Sequence, residues 1–116
     1  MSVVRIVANL ASADVQGMAA FYGDLLGLNV LMDQGWIVTL GSDDLGPVQL
    51  SIASQGGAGA VVPDLSVQVD DVDVVYARAQ EMGYDISYPL TDEEWGVRRF
   101  FVTDPMGRAI NILSHM

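Results

Sequence analysis

One pattern occurs twice in this chain and restricts its fold more than any other feature. A short apolar run ends near an aspartate, a helical stripe follows and closes at a glycine, and three strand-like runs come after it. In the first copy Val4 to Leu10 reads as a strand and Asp14 as a helix cap. Val15, Met18, Ala19, Tyr22, Leu25 and Leu26 then recur at helical spacing before Gly27. In the second copy Leu65 to Val69 is the strand and Asp70 or Asp71 the cap, with Val72, Val75, Tyr76, Ala79 and Met82 as the stripe before Gly83. An aspartate carboxylate accepts an otherwise unpaired N–H at a helix start, and glycine takes the left-handed conformation that ends one. The later runs are Asn29 to Met32, Trp36 to Leu40 and Val48 to Ala53, then Asp85 to Tyr88, Val97 to Thr103 and Ala109 to Ser114. Each half therefore reads β-α-β-β-β. The predicted class is α+β: two tandem modules forming a curved mixed sheet around a cavity.

The two copies make one domain over residues 1–116, with a first module at 1–54, a linker at 55–63 and a second module at 64–116. The linker is assigned to Gln55-Gly56-Gly57-Ala58-Gly59-Ala60, which offers no side chains to pack. Asp104-Pro105-Met106-Gly107 has the residue preferences of a type I turn, and Asp43-Asp44-Leu45-Gly46 is a looser version of it. Both read as hairpin turns between the last two strands of a module.

Strand alternation then separates two faces. Val48, Leu50 and Ile52, Leu65, Val67 and Val69, and Ile110 and Ile112 form apolar sets that should pack on the helices. The opposite face carries Gln49, Ser51, Asp64, Ser66, Gln68 and Asn111. If the last hairpin pairs Thr103 with Arg108, Phe100 lies opposite Asn111 and Arg98 opposite Leu113 on that same second face, which would line a mixed polar and aromatic cavity. The plain alternative is a solvent-exposed sheet surface. Phe100, Trp36 and a single arginine argue against it, since an open surface would show a mixture of Lys, Glu and Thr.

Composition narrows the partners. Fifteen acidic residues against five arginines, with no lysine, give a formal charge of −10. Such a surface repels phosphate backbones and anionic headgroups, so neither nucleic acid nor a membrane is expected as a partner, while cationic or neutral small molecules remain compatible. Without cysteine there is no thiolate nucleophile, disulfide or zinc-finger site. Met1-Ser2-Val3-Val4-Arg5 lacks the build of a signal peptide, and a cytoplasmic location is the default expectation.

The two modules resemble the vicinal oxygen chelate superfamily, the group of glyoxalase I, bleomycin-resistance proteins, extradiol dioxygenases and fosfomycin-resistance enzymes. The resemblance is carried by Phe21-Tyr22-Gly23-Asp24-Leu25-Leu26-Gly27-Leu28, by Trp95 through Gly107 and by Asn111-Ile112-Leu113, and it covers essentially the whole chain. It implies the fold well and the activity poorly, because one scaffold carries several chemistries. Metal-dependent members place His and Glu ligands on four strands, and those positions fall here on Val7, Gln49, Asp64 and Asn111. Only Asp64 is a plausible ligand. A shift of two residues offers Asn9, Ser51, Ser66 or Leu113, which is no better. The sole histidine, His115, lies next to the end of the chain and reads as a solvated tail residue. No bound metal or other cofactor is therefore expected.

What remains is binding, as in the bleomycin-resistance branch. Trp36, Trp95 and Phe100 would stack on an aromatic or cationic ligand, and Gln49, Ser51, Asp64, Ser66, Arg98 and Asn111 would fix it by polar contacts. Trp95 reads equally well as a loop cover over the core. Family resemblance implies a homodimer, and sequestration of a small organic ligand for antibiotic resistance or self-protection is the leading reading. The rivals are a glyoxalase-like lyase, isomerase or dioxygenase, either with displaced metal ligands or using Asp64 and Arg98 without metal, and a fold-only protein with a filled cavity.

Overall fold

A computed structural model describes residues 1–42 and 48–116. Its elements are β1 (Val3–Ala11), α1 (Val15–Leu26), β2 (Asn29–Asp33), β3 (Ile37–Gly41) and β4 (Gln49–Ala53), followed by β5 (Leu65–Val69), α2 (Val72–Glu81), β6 (Ile86–Asp92), β7 (Val97–Thr103) and β8 (Ala109–His115). This is the predicted β-α-β-β-β order, twice. The chain forms two compact units, Val7–Val62 and Pro63–Met116 together with Met1–Ile6. Among the described residues no helix is long and apolar enough to cross a membrane.

Both helices start where an aspartate can cap them. Asp14 Oδ1 accepts the Gly17 N–H at 2.9 Å, and Asp71 Oδ1 accepts the Val74 N–H at 3.3 Å. Asp70, the other candidate cap, instead accepts the Ser2 N–H at 2.8 Å. In the first unit the strands run in the order β2-β3-β4-β1, with β4 antiparallel to β3 and parallel to β1. One side of this sheet packs on α1, where Val38, Leu40 and Ile52 meet Val15 and Ala19. In the second unit the order is β5-β8-β7-β6, with β8 parallel to β5 and antiparallel to β7. Val69, Phe100 and Ile112 pack there against Val72 and Ala79 of α2. Pro89 sits in β6, a strand at the end of that order, where a missing N–H is tolerated.

The last hairpin corrects the sequence reading. Thr103 pairs with Ala109, not with Arg108, so Phe100 faces Ile112 and Arg98 faces Ser114. The cause is Gly107. Its φ of 87° puts it in the left-handed region, while Asp104 N–H bonds to Arg108 O at 2.9 Å and Gly107 N–H to Asp104 O at 3.0 Å. A type I turn followed by a left-handed glycine inserts one residue on the β8 side and shifts the register by one. Phe100 is thereby a fully buried core residue, stacked edge-on against Tyr76 of α2 at 5.0 Å. It does not lie on the second face.

The glycine-rich stretch also differs from expectation, because it does pack. Gly56 and Gly57 are buried, and Gly56 N–H bonds to Ala60 O at 2.7 Å. A Cβ on Gly56 would lie 2.0 Å from the Val61 carbonyl oxygen, so only glycine fits. The turn assigned to Asp43-Asp44-Leu45-Gly46 lies outside the described residues, although β3 and β4 on either side pair antiparallel as expected.

Candidate functional site

The face of the second module turned away from α2 carries the most chemistry. Register aligns Ser66, Asn111, Phe101 and Tyr88 as one row across β5, β8, β7 and β6, and Gln68, Leu113, Arg99 and Thr91 as the next. Asn111 is 7% exposed, and its Nδ2 donates to Ser66 Oγ at 3.1 Å. Its Oδ1 is sealed from solvent and meets no donor among the described residues.

Beside that row Arg99 sits in a cage of its own chain. Its guanidinium carbon lies 4.9 Å from the Tyr88 ring centre, 5.0 Å from Trp95 and 4.9 Å from Phe101. Glu93 Oε2 approaches it at 2.7 Å, and the Tyr88 hydroxyl donates to the same carboxylate at 3.1 Å. The Glu93 turn is held by Glu93 N–H to Val97 O at 2.7 Å and Gly96 N–H to Glu93 O at 3.1 Å. Charge and π faces therefore balance within the hairpin, and the Arg99 charge is already matched by Glu93. The sequence reading missed Arg99, Glu93, Tyr88 and Phe101. The signal that finds them is a second turn of the same type, closing at Gly96 with φ 86°, which sets Thr91 opposite Arg99.

The structure distributes the anticipated site residues as follows. Ser66 and Asn111 come together, as described. In the first module Ser51 Oγ and Thr39 Oγ1 lie 2.7 Å apart and are buried, on the face turned away from α1. Asn9 stands opposite Ser51 in register, and Gln49, half-buried, stands opposite Gly41. Trp36 is half-buried just before β3, where its carbonyl accepts the Ser54 N–H at 2.9 Å. Trp95 occupies the β6–β7 turn, with Arg99 against its ring.

Arg98 belongs elsewhere. It bonds Asp73 at 2.9 Å and Asp92 at 2.8 Å, pinning the first turn of α2 to the end of β6. The hydrogen bond from Arg98 holds the Asp73 carboxyl below the usual carboxylate range, and the same contacts push the Arg98 pKa upward. Asp64 is exposed and pairs with Arg108 at 3.6 Å. An acid–base couple of Asp64 with Arg98 is thus corrected, since each has a different partner.

The four positions marked for metal by the resemblance do not fit one. Val7 is a buried alkyl group without a donor atom, Gln49 and Asn111 are neutral amides, and the Asp64 carboxylate already faces an arginine. Among the described residues no group of three or more His, Asp or Glu side chains could hold a metal ion.

The model of the Glyoxalase/Bleomycin resistance protein/Dioxygenase superfamily matches residues 3–112. Among solved structures, a glyoxalase/bleomycin resistance protein/dioxygenase superfamily member from Vibrio splendidus is 21% identical, with a TM-score of 0.69, over 99% of this chain and 100% of that one. A methylmalonyl-CoA epimerase from Streptomyces coelicolor, in complex with 2-nitronate-propionyl-CoA, is 19% identical with a TM-score of 0.71, over 98% and 99% of the two chains. A Legionella pneumophila protein described as an NAD-dependent benzaldehyde dehydrogenase is 18% identical with a TM-score of 0.77, over 96% and 99%. These likenesses show the fold alone. No curated protein sequence matches the chain.

Proposed function

The chain belongs to the glyoxalase/bleomycin resistance protein/dioxygenase superfamily, and from that premise we propose that it binds a small organic molecule without a metal. The ligand is aromatic or cationic, and its sequestration serves antibiotic resistance or self-protection. One observation supports this reading: the buried Asn111 Oδ1, which meets no donor among the described residues. A buried acceptor without a donor costs about 1–3 kcal/mol, and a ligand N–H or O–H would recover it once the side chains sealing it move aside. Phe101 and Tyr88, in the same row, supply flat apolar surface beside that point. An anionic guest is disfavoured, since the chain carries −10 and Arg99 is matched by Glu93.

The same reading includes a cytoplasmic homodimer. Val4 and Ile6, at alternate positions of β1, are more than half exposed and would contribute apolar area to a contact between copies.

Screening a library of small aromatic amines, amides and phenols for a rise in melting temperature tests the proposal. Binders should stabilise the wild type, and their effect should vanish in Asn111→Leu. A library without binders, or binders indifferent to Asn111→Leu, would count against it.

A further inference from the structure

The unit Val7–Val62 carries acidic side chains and no cation of its own to balance them. Residues 7–62 contain five aspartates, Asp14, Asp24, Asp33, Asp43 and Asp44, and no arginine, lysine or histidine. Every arginine of the chain lies in the other unit. On this cation-free unit α1 and the neighbouring strands border an open surface groove of about 270 Å³. Ala19, Ala20 and Gly23 form its helix wall, and Val30 and Leu40 line the strand side. The small residues create the space, because larger side chains at helical spacing would fill it.

One anionic group lines the groove, Asp24, exposed on α1. Gln16, also in the lining, donates from Nε2 to Asp33 Oδ2 at 3.4 Å. From Gln16 to Asp24 the helix rises about 12 Å, in eight steps of about 1.5 Å. Among the described residues no cation pairs with Asp24 or Asp33. An apolar trough with one carboxylate in its lining has the complement of an organic ammonium ion, an apolar body with positive charge at its end.

We propose that this groove binds an aromatic ammonium compound of about two fused rings, with its rings against Ala20 and Val30 and its amine at Asp24. The volume falls just below the roughly 300–1,000 Å³ of drug-sized sites, which suits a fragment rather than a helix of a protein partner. A second copy of the unit Val7–Val62 brings only like charge to the groove. This site is independent of the one built around Asn111.

Titration of the intact, 15N-labelled chain with 1-naphthylmethylammonium, 1-naphthylmethanol and 1-naphthoate tests the inference. The ammonium should shift the amide signals of Ala19, Ala20, Gly23 and Val30. It should bind about two- to fivefold more tightly than the neutral alcohol, the range of an exposed ion pair, with the difference shrinking in high salt. Naphthoate should bind more weakly than either. Asp24→Asn should erase the preference for ammonium and leave the alcohol's affinity unchanged. Ala20→Leu should abolish binding of both while the melting temperature holds, and Asn111→Leu should change neither. Equal affinity for the three probes, shifts confined to the Asn111 face, absence of binding, or binding that survives Ala20→Leu would each overturn the proposal. A concentration-dependent dimer broken by Ala20→Leu would overturn it too, in favour of a contact between copies.

Discussion

Arg99 and Glu93 meet at 2.7 Å with side chains only 3% and 5% exposed. The pair ties strand β7 to the turn that precedes it and holds three aromatic rings around one guanidinium. A buried pair of this kind is costly to break from one side, because the remaining charge has no water to return to. Glu93→Gln or Arg99→Met alone should each lower stability by about 3–5 kcal/mol in urea unfolding. The double substitution should cost less than the sum of the two. Full additivity would show that the charges do not interact.

Phe100→Ala should act on stability, not on binding. Its ring is fully buried between the second sheet and Tyr76 of α2, and truncation should cost about 3–5 kcal/mol. Calorimetry reads this as a lowered melting temperature. A variant that unfolds like the wild type would contradict the register of the last hairpin.

That register marks where the sequence stops being legible. Element order, helix starts and most strand limits follow from local chemistry. Asp14 and Asp71 accept N–H groups at the helix starts, and Gly27 and Gly83 adopt φ values of 67° and 72°. Strand β7 is different because Arg98-Arg99-Phe100-Phe101 doubles each residue type. Either alternation then puts one arginine and one phenylalanine on each face, so composition cannot choose between them. The choice is made by a single left-handed residue, Gly107, six positions beyond Phe101. The polar positions Ser66 and Asn111 were readable because their neighbours alternate cleanly with Val67, Ile110 and Ile112. The Glu93–Arg99 pair was not, since it depends on a turn geometry that residue types alone leave open.

Acid should weaken the second module through Asp73 and Asp104. The Arg98 hydrogen bond lowers the Asp73 pKa, and the Arg108 and Met106 backbone N–H groups lower that of Asp104. A carboxyl depressed in the folded state binds protons more readily when unfolded, so its contribution is present above the unfolded pKa of about 4 and is lost as pH falls through the folded value. Stability should therefore decline below about pH 4, and Asp73→Asn should flatten that decline. Asp73 is exposed, so added salt should reduce its effect. An acid limb identical in the wild type and Asp73→Asn would refute the assignment.

Asn111→Leu should separate stability from binding. The wild type keeps a sealed amide end without a partner, which an apolar side chain of similar size would not. The ligand-free variant should lie within about 1 kcal/mol of the wild type or above it, in place of the loss usual for a buried substitution. A drop of several kcal/mol in urea unfolding would mean that the contact with Ser66 is structural and that the amide's second end costs nothing.

Native mass spectrometry of freshly purified protein bears most directly on metal-free binding at the Asn111 face. The expected spectrum is a metal-free dimer, with a fraction carrying an organic adduct that is absent from Asn111→Leu. About one transition metal per chain, retained by the wild type, would contradict it and restore a metal-dependent enzyme as the reading of this fold.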